Sequence, residues 1–299
     1  MLKAMALGGQ LRVIVVRSTE VARALRKAQD PGPVGAMALS RVATACLLLG
    51  ATLKGRQQIG VQINGDGPLG EVYGIGDAQG HVRATVAEAR ADVDLTGDGR
   101  LNLPKGLGLG RFTVIKKLQA DADAYRGVVP LVYGTVADDL AEYLLQSEQV
   151  HSAVGIGERL SADGFEGAGG YLIQALPGAD EEALAELEQR LSKLPPLGDF
   201  FADGGTPDAL VELLFDDADV LQRYPATFHV PASRERYARI LVGLGSAELT
   251  KMKEEHEVLE IRDHFSGEVY TFNQEELGAL IYGAKLNEAR WAQQHAEEN

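Results

Sequence analysis

The stretch over residues 228–272 constrains the fold most, because it predicts a complete small module with little core of its own. Ser233 and Ser246 are suited to cap two successive helices, since a serine hydroxyl can accept a hydrogen bond from a free backbone N–H. Gly245 between them suits the left-handed residue that ends the first helix. Apolar segments on either side of a turn at Gly267 then predict a β-hairpin. Modules below roughly 40 to 60 residues usually need a metal, disulfides or a partner surface to be stable.

The chain offers no cysteine-based stabilisation for this module. Cys46 is the only cysteine, which excludes an intramolecular disulfide and a cysteine–metal cluster. It lies in a long apolar run that predicts a buried helix. A lone cysteine in such a helix is expected to be a packed core residue, because free cysteine behaves as a small hydrophobe. The alternative, a redox-sensing thiol of low pKa, requires basic or helix-terminal neighbours, and Arg41 is the nearest candidate.

Two phrases frame the module. They are Phe228-His229-Val230-Pro231-Ala232-Ser233-Arg234-Glu235-Arg236 and Glu260-Ile261-Arg262-Asp263-His264-Phe265-Ser266-Gly267-Glu268-Val269-Tyr270-Thr271-Phe272. They resemble the C-terminal zinc module of the heat-shock protein 33 family, which consists of redox-regulated holdase chaperones. The resemblance implies four zinc-binding cysteines, as a C-x-C and a C-x-x-C. Those positions are Val230, Ala232, Asp263 and Ser266 here, so the frame is kept and every ligand is replaced.

Three phrases in the first part of the chain extend the resemblance to the family's core domain. They are Gly65-Asp66-Gly67-Pro68-Leu69-Gly70, Ser147-Glu148-Gln149-Val150-His151-Ser152 and Gly169-Gly170-Tyr171-Leu172-Ile173-Gln174-Ala175-Leu176-Pro177-Gly178. Short strands joined by glycine-rich turns predict an antiparallel meander there, and the fold class is α+β. The predicted organisation is a sheet-rich core domain with packed helices over 1–178, an acidic helical linker over 179–224, and a degenerate zinc-type helix–hairpin module with its tail over 225–299.

The segment over 179–224 differs in character from the rest. It carries twelve acidic and three basic side chains, so it holds a charge of −9 out of a formal net charge of −14. A helix in this segment places four leucines on one face at spacings of three and four. This leucine stripe consists of Leu184, Leu187, Leu191 and Leu194. Plain packing is one interpretation; the resemblance implies another, in which the released linker exposes the leucines to unfolding client proteins.

A substitute metal site with histidine and aspartate ligands is one hypothesis for the replaced positions. His229 and His264 each lie beside a replaced cysteine, and Asp263 occupies one. On a strand, however, adjacent side chains point to opposite faces, so His229 points away from Val230 and His264 away from Asp263. One ligand then remains at the old centre, too few for a closed site. We therefore expect no metal and no other cofactor, although the resemblance implies zinc.

Several other classes of function are disfavoured. A net charge of −14 argues against binding to nucleic acid, whose phosphates would repel it. The longest apolar run, 42–53, is too short for a bilayer, which needs about 20 residues, and no signal peptide is visible, so a cytoplasmic protein is expected. The Gly65-x-Gly67-x-x-Gly70 phrase continues into a strand rather than a helix, which favours a hairpin turn over a nucleotide site. We find no nucleophile–base–acid set and expect no enzyme.

The resemblance implies an ATP-independent holdase chaperone that binds unfolding proteins, and it makes a homodimer a reasonable expectation. Without cysteines the zinc and thiol switch is lost. One hypothesis is that Val230 and Ala232 form a dry apolar plug and that heat is the trigger. Another is that the module is marginally folded and the chaperone is active by default. The alternative function is a binding or scaffolding protein that has kept the fold and lost the chaperone role.

Overall fold

The structure is a computed structural model that describes residues 1–117 and 124–297. Residues 118–123 of the predicted core domain and 298–299 of the predicted C-terminal module lie outside the described residues. The chain divides into two compact units, Met1–His229 and Val230–Asn299. The segment predicted as a linker, 179–224, belongs to the first unit, and the division into three parts stays a prediction.

The first unit contains most of the strands and helices. Its strands are β1 Leu2–Ala6, β2 Leu11–Arg17, β3 Gln58–Gly65, β4 Glu71–Asp77, β5 His81–Val86, β6 Gly110–Lys117, β7 Tyr125–Leu131, β8 Ser152–Ser161, β9 Gly164–Ala175, β10 Asp219–Arg223 and β11 Thr227–Phe228. Its helices are α1 Thr19–Gln29, α2 Pro33–Gly50, α3 Leu103–Leu107, α4 Ala137–Glu148, α5 Glu181–Leu191, α6 Leu197–Ala202 and α7 Pro207–Leu214.

These strands form two sheets. The five-stranded sheet has the order β10-β1-β2-β9-β8 and is antiparallel throughout. The six-stranded sheet has the order β11-β5-β4-β3-β6-β7, in which only β11 and β5 pair in parallel. The antiparallel pairing of β3 with β4 confirms that the Gly65–Gly70 phrase lies at a hairpin connection. The predicted sheet-rich α+β class is confirmed.

Helix α2 is the centre of the first unit and packs against strands of both sheets. It is long and apolar enough to cross a membrane, but 83% of it is buried inside the fold, where it serves as a core helix. Close approach of α2 to β4 requires glycine: a Cβ at Gly76 would lie 2.4 Å from the Cys46 carbonyl oxygen. Cys46 itself is fully buried, as the apolar run around it predicts.

The second unit has the predicted helix pair and hairpin. Its elements are α8 Arg234–Gly243, α9 Ser246–Glu255, β12 Val258–Arg262, β13 Val269–Asn273 and α10 Gln274–Glu297. Ser233 caps α8 as predicted, accepting the Arg236 N–H at 3.2 Å. The predicted cap at Ser246 is wrong: Gly245, with φ of +94°, occupies the cap position of α9. Ser246 is the first helical residue, and its hydroxyl donates to Glu288 at 2.8 Å. The buried hydrophobic cluster of this unit consists of Leu241, Leu249, Phe272, Leu277 and Ala284.

Candidate functional site

The turn between β12 and β13 is organised around one buried carboxylate. Asp263 is 5% exposed and follows directly after β12. Its Oδ1 accepts the backbone N–H groups of Phe265 at 2.8 Å and Ser266 at 2.7 Å, and the Ser266 hydroxyl at 3.1 Å. Its Oδ2 accepts the Tyr237 hydroxyl at 2.6 Å. We call Asp263 and these three donor residues the Asp263 cluster.

The cluster joins α8 to both strands of the hairpin. Tyr237 belongs to α8, and its ring lies 5.0 Å from that of Tyr270 on β13, centroid to centroid. The Tyr270 hydroxyl donates to Glu268 at 2.6 Å, and the Glu268 carbonyl accepts the Asp263 N–H at 2.8 Å. The hydrogen bonds therefore run from the helix through the turn and back to the second strand.

The charge states in the cluster follow from its hydrogen bonds. Burial acts to raise the pKa of Asp263, but the donors from Tyr237, Ser266 and Phe265 outweigh it, so the pKa lies below its ordinary value. Burial and the hydrogen bond to Asp263 raise the pKa of Tyr237 to about 12. At neutral pH an ionised carboxylate therefore accepts from a neutral phenol, the arrangement in which such a bond is strongest.

This arrangement predicts how the stability of the second unit depends on pH. Because the pKa of Asp263 is lower folded than unfolded, its contribution is complete above the unfolded value of about 3.9 and is lost as pH falls further. We expect the contribution of Asp263 to the thermal stability of residues 230–297 to be constant between about pH 5 and 8 and to fall below about pH 4. Hydrogen exchange measures this stability. Asp263→Asn should reduce this loss of stability at acid pH, whereas an unchanged loss would contradict the assignment of the low pKa to Asp263.

The four replaced positions are not equivalent in the structure. Asp263 and Ser266 are in direct contact. Val230 and Ala232 are half-buried, and neither is among the hydrophobic side chains packed against the Leu241 cluster. The apolar plug at these two residues therefore stays a prediction.

The histidines considered as substitute ligands are placed as follows. His229 lies in the first unit, where its ring is 4.9 Å from that of His81, centroid to centroid. His264 is exposed. Over residues 1–117 and 124–297, no group of three or more His, Cys, Asp or Glu side chains has a geometry that could hold a metal ion.

The leucine stripe packs into a hydrophobic cluster on one face of the five-stranded sheet. Alternate residues of β2 point to opposite faces: Ile14 belongs to the core around α2, whereas Leu11 and Val13 belong to a second hydrophobic cluster. Leu187 is 5% exposed and lies in that second cluster. The half-buried leucines of the stripe pack against the same cluster, and they are Leu184, Leu191 and Leu194. The acidic segment therefore covers the second face of the sheet.

Polar contacts near the surface add to this attachment. Arg190 of α5 donates to the Leu214 carbonyl at 2.7 Å. Asp217 accepts the N–H groups of Gly8 at 2.9 Å and Leu7 at 3.1 Å, and these bonds lower its pKa. Strand β10 supplies the edge of the sheet by pairing with β1. Because most of these groups are exposed, water competes for their hydrogen bonds, and each bond alone contributes little to the attachment of the segment.

The single thiol is unsuited to redox sensing. Cys46 is fully buried in α2, and burial raises its pKa to about 12. The reactive form of cysteine is the thiolate, so the native thiol is neutral and inaccessible at physiological pH. The prediction of a packed core cysteine is confirmed.

An ion pair that the sequence did not predict connects α2 to β8. The Glu158 side chain is 2% exposed and accepts Arg41 Nη2 at 2.9 Å and Nε at 3.1 Å. Arg41 Nη1 also donates to the Thr135 carbonyl at 3.2 Å. The pair lies between residues 117 positions apart, so no local pattern could have indicated it.

Comparison with known proteins gives one consistent result. A family model described as Hsp33 protein matches residues 1–273. A 33 kDa chaperonin of Bacillus velezensis is 37% identical over 283 residues, covering 94% of this chain and 97% of the relative. A 33 kDa chaperonin of Bacillus subtilis is 36% identical with the same coverage. The crystal structure of a 33 kDa chaperonin, a heat shock protein 33 homolog from Thermotoga maritima, is similar in fold, with a TM-score of 0.85 at 24% identity, covering 95% of this chain and 98% of that one.

Proposed function

The chain belongs to the Hsp33 family, and from this premise we propose that it is an ATP-independent holdase chaperone, which binds unfolding proteins and prevents their aggregation. The observation that carries the proposal is the coverage of the five-stranded sheet by the acidic segment. Leu11 and Val13 of β2 share one hydrophobic cluster with buried residues of α5, α6 and α7, and the leucine stripe belongs to this cluster or packs against it. Release of the segment would expose apolar groups from both sides of this contact, and exposed apolar surface is what binds unfolded chains.

We propose that this release is independent of zinc and of thiol chemistry. The only cysteine is Cys46, which is buried, and the four zinc-ligand positions of the resemblance hold Val230, Ala232, Asp263 and Ser266. The leucine stripe is packed in the structure, which favours a covered resting state over constitutive exposure. Heat is then the natural trigger, because a segment held by an apolar contact and many weak exposed bonds opens locally as temperature rises.

The expected setting follows from the same premise. The partners are unfolding client proteins of the cytoplasm, and the chaperone works as a homodimer without a cofactor and without enzymatic activity. The net charge of −14 supports a function that does not involve nucleic acid. A scaffolding protein of the same fold is the competing function, and it predicts one stoichiometric partner instead of many clients in pull-downs before and after heat shock.

The test is light scattering of a thermally aggregating client in the presence of reductant and chelator. Preheated protein should suppress scattering at a near-stoichiometric ratio, and protein kept at the resting temperature should do so less. Hydrogen peroxide should change neither result, because the buried Cys46 thiol is protonated and inaccessible. Failure to suppress scattering after preheating would overturn the holdase proposal, and activation by peroxide would overturn its thiol-independence.

A further inference from the structure

We propose that Asp263 is the positioning residue that holds the second unit in its folded resting state, with hydrogen bonds in place of a metal. The regulatory part of this inference rests on the proposed holdase function; the structural part does not. The second unit has five buried hydrophobic residues in its cluster, so a single well-placed polar centre is a large fraction of what orders it. Asp263 occupies one of the replaced positions. Among the described residues of this unit, it is the one charged residue that is buried.

The first step of the argument concerns the turn. The Asp263 carboxylate accepts N–H groups two and three residues ahead, at Phe265 and Ser266, which is the geometry by which aspartate closes a turn on itself. The Asp263 carbonyl accepts the Gly267 N–H at 2.9 Å, and Gly267 has a φ of +71°. Two backbone donors and one hydroxyl thus converge on one anionic oxygen. The turn requires a hydrogen-bond acceptor at its centre, and Oδ1 of the carboxylate is that acceptor.

The second step concerns the connection to the helix. The Asp263 Oδ2 accepts the hydroxyl of Tyr237, which is 26 positions earlier in the chain. A second connection runs through Arg234, which donates to the Thr271 carbonyl at 2.9 Å and lies over the Phe272 ring at 4.6 Å. Arg234 and Tyr237 therefore both fix helix α8 to the hairpin, and the connection through Tyr237 reaches the turn.

The third step concerns the balance of the buried charge. A carboxylate has about four acceptor sites, and Asp263 accepts four hydrogen bonds, three at Oδ1 and one at Oδ2. The desolvation cost of the ion is thereby offset. Loss of the donors leaves a buried charge without partners, and loss of the negative charge weakens the bonds that the donors make. Opening of the turn should therefore free α8 and the hairpin together.

The test uses three variants of the full chain. Asp263→Asn keeps the shape but replaces one acceptor oxygen by a donor, and Tyr237→Phe removes only the bond to α8. Glu260→Gln is the matched control, because Glu260 is an exposed carboxylate three residues earlier. Hydrogen exchange by mass spectrometry is measured at the resting temperature across the full chain, and client scattering is measured in parallel.

Asp263→Asn should speed exchange in 234–273 by about tenfold or more, without change before residue 229, as expected when a charged hydrogen-bonded group is lost. Tyr237→Phe should speed exchange chiefly in α8, and Glu260→Gln should change nothing. Exchange in Asp263→Asn within about twofold of Glu260→Gln would overturn the assignment. If Asp263→Asn does not fold, Tyr237→Phe tests the proposal. Unchanged exchange in α8 of that variant would contradict a stabilising connection between α8 and Asp263. Asp263→Asn could exchange faster and yet suppress client scattering no better than the unchanged protein without preheating. That result would support the positioning role of Asp263 and overturn its link to holdase regulation.

Discussion

Replacing Arg41 by methionine should lower the free energy of unfolding of the first unit by roughly 3 to 5 kcal/mol, as expected when one partner of a buried ion pair is removed. The side chain of Glu158 is 2% exposed and accepts two nitrogens of Arg41 at 2.9 and 3.1 Å. Methionine fills part of the space but leaves a carboxylate buried without a donor. The Thr135 carbonyl loses its donor as well. The measurement is urea unfolding followed by circular dichroism.

A neighbouring arginine is the control for this prediction. Arg159 makes ion pairs with Glu166, Asp199 and Asp203, but its side chain is 36% exposed. Exposed pairs contribute little, so Arg159→Met should cost much less than Arg41→Met despite removing more pairs. Adding Glu158→Leu to Arg41→Met should recover most of the loss, because no buried charge then remains. Equal effects of the two arginine substitutions would contradict this account.

Leu187→Ala should raise the holdase activity of the unheated protein. Leu187 belongs to α5 and is 5% exposed, and its truncation should weaken the attachment of that helix by roughly 2 to 5 kcal/mol, the usual cost of a buried leucine cut to alanine. The other leucines of the stripe are unchanged and become available for clients. We expect faster hydrogen exchange in α5 and suppression of scattering at a lower ratio of chaperone to client.

Leu213 provides the matched control for Leu187. It lies in α7, within the same acidic segment, but is 57% exposed. Leu213→Ala removes the same atoms without loosening a contact, so it should leave exchange and resting activity as they are. Equal activity of the two variants would refute release of α5 as the activating step. Reduced activity of Leu187→Ala after preheating would instead make Leu187 itself the main client contact.

The sequence predicts those elements whose signals are local. The cap at Ser233 is predictable because the serine and the N–H group that donates to it, at Arg236, lie within four residues of sequence. The apolar run around Cys46 predicts a buried helix whatever surrounds it. The sequence favours Ser246 over Gly245 as the cap of α9, since both residues suit helix ends and only the backbone angle of Gly245 distinguishes them.

The role of the four replaced positions stays a prediction, and the hydrogen bonds of Asp263 have no signal in the sequence. The resemblance indicates Asp263 as a replaced ligand, but its hydrogen bonds depend on Tyr237, a residue that no sequence pattern connects to the turn. The Arg41–Glu158 pair and the pairing of β1 with β10 depend on contacts between distant parts of the chain. Charge and hydrophobic spacing do not encode such pairings, because many residues of the same type are equally suited.

The pairing of β1 with β10 has a consequence for how the protein is made. The terminal amino group of Met1 donates to the Tyr224 carbonyl across 223 positions of sequence, at the end of the pairing between these strands. A ribosome adding about 5 to 20 residues per second completes β10 roughly 10 to 40 s after β1. During that interval the outer edge of β1 has no partner, and an open strand edge is a template for association with other chains. The nascent chain is thus itself prone to aggregation until its acidic segment has been synthesised.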